Sequence, residues 1–171
     1  MITKEEIDKI LSGYDPKKIK IATICSHSAL QIFHGAKQEG FKTVGICVED
    51  RKSIYNAFPL AKPDELLLVE EFKEVLTPEL QNKLVEDNVI IIPHGSFVEY
   101  VGAEALGSVF RVTMFGNRET LEWESDRAKQ RIWLEKAGLR MLHKNEFEVD
   151  GLQGHGIVAE YICKKPDTVS D

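Results

Sequence analysis

Apolar and polar positions along this chain keep two rhythms. Runs of strand length, rich in β-branched and aliphatic residues, recur at "IKIATIC" (19–25), "KTVGICVE" (42–49), "DELLLVE" (64–70) and "VIIIPHG" (89–95). Between them the apolar residues move to helical spacing. Ile2 to Leu11 reads as an amphipathic helix capped by Thr3, with Glu6 completing a capping box. "SALQIFHGAKQEG" places Leu30, Ile32 and Phe33 on one side of a helix that Gly40 ends. A short helix is expected over Asp50–Ala57, and Pro59 and Pro63 mark a loop. "TPELQNKLVEDN" offers Thr77 as a cap and Pro78 at the first helical position, where its missing N–H costs nothing. A helix around Glu99–Ala105, a strand "SVFRVTMFG" and a long helix from Glu119 to Ala137 follow.

This alternation predicts an α/β fold: an open, mostly parallel sheet with flanking helices, then a long helix and a short C-terminal remnant. The fourth strand has no polar interruption, as expected of a strand covered on both faces. After Gly138 the pattern changes. One further strand candidate, "GIVAEYIC", precedes a polar tail. The expected domains are therefore 1–140, the α/β sheet with its helices, and 141–171, a remnant with its tail.

Composition narrows the function classes. The chain has 171 residues, 43% hydrophobic and 29% charged, enough for one domain with a substantial core. A net charge of −6 argues against nucleic acid and anionic membranes as partners, since there is no basic excess to displace counterions. No apolar run reaches the ~20 residues of a membrane span, and the amino terminus does not read as a secretory signal. The three cysteines, Cys25, Cys47 and Cys163, form no CxxC pair and read as free thiols of a cytoplasmic protein.

Candidate chemistry stands at the carboxyl ends of the strands, where ligands bind in open α/β sheets at the reversal of strand order. Ser26, His27 and Ser28 follow the first strand. His94, Gly95 and Ser96 follow the fourth, and Asn117 and Arg118 follow "VTMF". If the first and fourth strands are neighbours, the first two groups face one another. Serine hydroxyls at helix starts suit an anion. Gly95 lets a ligand approach the backbone, and Arg118 can grip a phosphate or carboxylate in a two-point contact. The histidines can bond a heterocycle or carry a proton near neutrality. Taken alone, Ser28 and Ser96 read most simply as helix caps, and Arg118 as a solvated or salt-bridged cation. A dinucleotide GxGxxG, a GxxxxGK[ST] phosphate loop and HExxH are all missing, and no metal site is expected.

"TICSHSALQIFHGAKQEGF", "IIIPHGSF", "MFGNR" and "WESDR" occur in the order and approximate spacing of the archaeal formate-dependent FAICAR synthetases, the formate–phosphoribosylaminoimidazolecarboxamide ligases. The chain resembles this branch of the ATP-grasp superfamily from its first helix to about Glu148. The resemblance implies a Rossmann-like (pre-ATP-grasp) domain that binds AICAR, the ribotide converted to FAICAR in purine (IMP) biosynthesis. It implies contacts to the ribotide from His27 and Ser96, with Ser26 and Gly95 beside them. In the family, ATP and magnesium activate formate. Beyond Glu148 the sequence departs from the family pattern: "FEVDGLQGHGIVAEYICKK" shows neither the strand-borne lysine for ATP phosphates nor the downstream magnesium carboxylates. The expectation is a ligase-like ribotide-binding domain with no cofactor of its own, unable to complete the reaction alone. The alternative is a non-catalytic nucleotide-binding or interaction subunit that docks on a full-length relative. Leu121, Trp123, Ile132, Trp133 and Leu134 on the long helix make self-association, or association with such a relative, the expected assembly.

Overall fold

The computed structural model describes residues 2–139, so the expected 141–171 remnant, Cys163 and the strand candidate "GIVAEYIC" lie outside the described residues. The chain groups into two compact units, 1–127 and 128–171. In the first, α1 (Lys4–Ser12) leads into β1 (Lys20–Ile24), α2 (Ala29–Gln38) and β2 (Lys42–Val48). A 3-10 turn, Glu49–Arg51, precedes α3 (Lys52–Asn56) and β3 (Glu65–Val69). A second such turn, Phe72–Leu76, precedes α4 (Pro78–Glu86) and β4 (Val89–Ile91). The unit closes with α5 (Gly95–Val101), α6 (Ala103–Ser108) and α7 (Arg118–Ser125). From Ala128 onward, α8 (Arg127–Lys136) belongs to the second unit.

The helix starts follow the sequence chemistry. Thr3 and Glu6 form the reciprocal capping box, and Thr77 accepts the Leu80 N–H ahead of Pro78. All four strands are parallel, in the order β3-β2-β1-β4. Strand alternation sorts β2 between two faces. Val44 and Ile46 join Ala22, Ile24, Ile91, Phe97 and Leu106 in the larger core. Cys47 joins Cys25, Ala29, Phe33 and Tyr55 in the smaller one. Gly45 faces the smaller cluster at close quarters. A Cβ there would stand 2.9 Å from Cys25 Sγ and 3.0 Å from Leu66, so only glycine lets the strand and its cover approach.

Three elements differ from the sequence expectation. The helix expected around Glu99–Ala105 is two helices, because Gly102 takes φ 91° between α5 and α6. The long helix expected from Glu119 to Ala137 is divided at Asp126, which is extended (φ −110°, ψ 114°). Just before the break, Ser125 turns its hydroxyl back on the Glu122 carbonyl (2.9 Å), the local bonding with which serine competes against a helix. The strand expected at "SVFRVTMFG" shrinks to one bridge, Ile91 with Met114. Its carbonyls go elsewhere, to the guanidinium of Arg118.

Candidate functional site

The order 3-2-1-4 reverses direction between β1 and β4, so their carboxyl ends flank the switch point of the sheet. β1 stops there for a visible reason. The Ile24 carbonyl accepts the Ser26 N–H (2.9 Å), a tight local bond that takes it out of the ladder. It also accepts Nε2–H of His94 (3.2 Å), which ties the end of β4 to the end of β1. Thr23 adds a stitch from its hydroxyl to the Ile92 carbonyl (2.8 Å).

These ties bring the two serines together. Ser26 Oγ donates to Ser96 Oγ across 3.0 Å, and both residues are buried. His27, next in the chain, is exposed. Beside Ser96, a Cβ added to the exposed Gly95 would meet no heavy atom within 4 Å, so open space lies over that backbone. Burial holds His94 below the usual imidazole range, a neighbouring His27 adds to this, and the bond to Ile24 opposes it. Because its partner is a carbonyl, Nε2 carries the proton, and Nδ1 of the neutral ring is left as an acceptor.

Ser28 and Ser96 do not serve as side-chain caps. Ser28 occupies the cap position of α2 without a side-chain cap bond, and His94, not Ser96, precedes α5. Cys25 and Cys47 are inert: burial pushes Cys25 far up and raises Cys47 as well, so neither is a nucleophile at neutral pH.

The third sequence group has other work. Asn117 caps α7 by accepting the Glu119 N–H (2.9 Å). Arg118 Nη1 donates to the Leu106 (2.8 Å) and Phe110 (2.5 Å) carbonyls, and Nη2 to that of Val112 (2.5 Å). Asn117 and Arg118 line a cavity of about 640 Å3 with Ile2, Lys4, Ile7 and Glu104; none of Ser26, His27, His94 and Ser96 lines it. Arg118, read from the sequence as a grip for phosphate, directs three of its N–H donors to these carbonyls. Its half-buried fork is spent on backbone acceptors that would otherwise go unpaired.

Sequence reasoning missed Arg51 and Tyr100. Arg51 closes the 3-10 turn after β2, beside β1 in the sheet. Its Nη1 donates to the Cys25 carbonyl (3.2 Å) and its Nη2 to the Tyr100 hydroxyl (3.1 Å). The guanidinium lies 5.3 Å from the Phe72 ring centre and 5.4 Å from that of Tyr100. Arg51 holds the Tyr100 phenol below its usual range, and a hydrogen bond with Ser26 contributes. Polar groups therefore run from Arg51 through Tyr100 and Ser26 to Ser96. The available signal was position, since Arg51 follows a strand end as the serines do.

A family model described as "Protein of unknown function (DUF1246)" matches residues 21–145. The chain belongs to this family. Among relatives of this DUF1246 member is the 5-formaminoimidazole-4-carboxamide-1-(beta)-D-ribofuranosyl 5'-monophosphate synthetase of Methanococcoides burtonii. The two are 54% identical over 141 residues, which cover 82% of this chain and 39% of that protein. The synthetase of the same name from Korarchaeum cryptofilum is 54% identical over 139 residues, covering 81% and 38%. The expected homology to archaeal FAICAR synthetases is thus shown, and the chain spans under two-fifths of the length of these relatives. The IMP biosynthesis protein PurP of Thermococcus kodakaraensis shares the fold with a TM-score of 0.60 and 37% identity, over 76% of this chain and 41% of that one. Pyruvate carboxylase of Rhizobium etli matches at a TM-score of 0.50 and 18% identity, over 72% and 13%, a likeness of fold alone. Among the described residues no helix is long and apolar enough to cross a membrane.

Proposed function

We propose that this chain is the AICAR-binding part of a formate-dependent FAICAR synthetase of purine biosynthesis, acting in the cytoplasm. The observation that carries the reading is the meeting of Ser26 and Ser96 at the switch point, with His27 exposed next to one serine and Gly95 open next to the other. The paired hydroxyls, which can rotate to donate, suit the ribose phosphate. Neutral His94, with Nδ1 free to accept, suits the amine or amide N–H groups of the aminoimidazole carboxamide. Support also comes from the names of relatives 54% identical, whose printed product is this ribotide in its formylated form.

In this reading the chain's own residues bind and orient the ribotide, excluding water at the buried serine pair. ATP and magnesium belong to the reaction of the full-length family, where they activate formate. Among the described residues no group of three or more His, Cys, Asp or Glu side chains is placed to hold a metal ion. Isothermal titration calorimetry tests the proposal: AICAR should bind with one-to-one stoichiometry, and H27A and S96A should each weaken it at least tenfold. A folded chain that gives no heat with AICAR overturns it.

A further inference from the structure

We infer that Arg51, held in place by Tyr100 and Phe72, is the cation that receives the phosphate of the ligand. The inference rests on the ribotide reading of the same site and names a binding residue which that reading leaves out.

Three observations carry it. The first is position. Arg51 bonds the carbonyl of Cys25, the residue immediately before Ser26, so it stands at the strand ends that bear the serine pair.

The second is unspent charge. A guanidinium has five N–H donors, of which the Cys25 carbonyl and the Tyr100 hydroxyl take two. Among the described residues no carboxylate lies within 4.0 Å of Arg51. Its neighbour Glu49 pairs instead with Lys52 (3.2 Å). Arg118 provides the contrast, since three of its donors go to backbone carbonyls and it lines a cavity that none of the strand-end serines and histidines lines.

The third is preorganisation. Aromatic rings at 5.3 and 5.4 Å fix the guanidinium, so little rotamer freedom remains to be lost when an anion arrives. Tyr100, Ser26 and Ser96 extend the site as a row of hydroxyls that can rotate to donate. A planar cation followed by rotatable hydroxyls matches a dianionic phosphate monoester. The uncharged heterocycle is then left to His27 and His94.

The competing account makes Arg51 a piece of scaffold packed between two rings. Titration of wild type, R51M, R51K and Y100F with AICAR and with its dephosphorylated riboside separates the two accounts. A parallel series uses inorganic phosphate as the probe, read by thermal shift. If Arg51 receives the phosphate, R51M lowers ribotide affinity at least tenfold and changes riboside affinity less than twofold. R51K, which keeps the charge but loses the fork, should be intermediate, and so should Y100F. Equal loss for ribotide and riboside, or no loss for either, overturns the inference. Should R51M fail to fold, the ribotide-to-riboside ratio in R51K and Y100F decides: an unchanged ratio overturns it. Wild type that binds ribotide with full indifference to Arg51 sinks this inference and leaves the ribotide reading standing. Phosphate binding that depends on Arg51, without any ribotide binding, upholds the cation and sinks the ribotide reading.

Discussion

Ser26 Oγ and Ser96 Oγ lie 3.0 Å apart although 70 positions separate them in the chain. The parallel pairing of β1 with β4 makes this meeting possible, and the bond from His94 to the Ile24 carbonyl fixes the loop that completes it. Each serine loses most of its water on folding and is compensated by the other.

Breaking that pair has a measurable cost. S26A should destabilise the chain by roughly 1 kcal/mol, because a buried hydroxyl loses its partner. The double variant S26A/S96A should cost less than the sum of the singles, since both halves of the bond are gone. Urea unfolding of the four species measures the coupling; strict additivity contradicts the contact.

Gly95 separates binding from folding. Open space surrounds the position of its absent Cβ, so G95A should leave stability unchanged or raise it by up to about 1 kcal/mol. If a ligand lies against that backbone, AICAR affinity should fall at least tenfold. Thermal melts and calorimetry on one preparation check both halves.

Arg118 should behave in the opposite way. R118M abandons three carbonyls in a half-buried setting and should destabilise by roughly 2–4 kcal/mol, with ribotide affinity per folded molecule unchanged. Denaturant unfolding and calorimetry at a permissive temperature give the two numbers. A stable variant with weakened binding would return Arg118 to the site.

His94 predicts the sign of a pH effect. Burial holds its folded pKa below the ~6.5 of an unfolded histidine. Between those values the unfolded chain binds more protons, so stability rises with pH. The contribution is complete above pH ~6.5 and is lost as the pH falls through the folded value. The neighbouring His27 lowers the folded value further. Chemical unfolding between pH 5 and 8 should show this slope, and H94Q should flatten it. A slope that H94Q leaves intact points to another group.

Much of this arrangement is legible in the sequence, and the reasons are local. β1, β2 and β4 declare themselves because strands covered on both faces must be apolar throughout. The Thr3–Glu6 box and the Thr77–Pro78 start are bonds between near neighbours, so spacing alone reveals them. The serine pair follows from topology, once the first and fourth strands are taken as adjacent. What spacing hides is tertiary. Arg51 finds Tyr100 49 positions away. Arg118 finds backbone carbonyls, which are present at every residue and carry no letter in the sequence. The same capture of carbonyls explains why "SVFRVTMFG" looks like a strand and forms only one bridge.

The most direct measurement is a crystal of this chain grown with AICAR. Density for the ribotide over the Ser26–Ser96 pair, with His27 and Ser96 in hydrogen-bonding contact, is the predicted result. A well-ordered ribotide bound elsewhere, for example in the cavity lined by Arg118, contradicts the account.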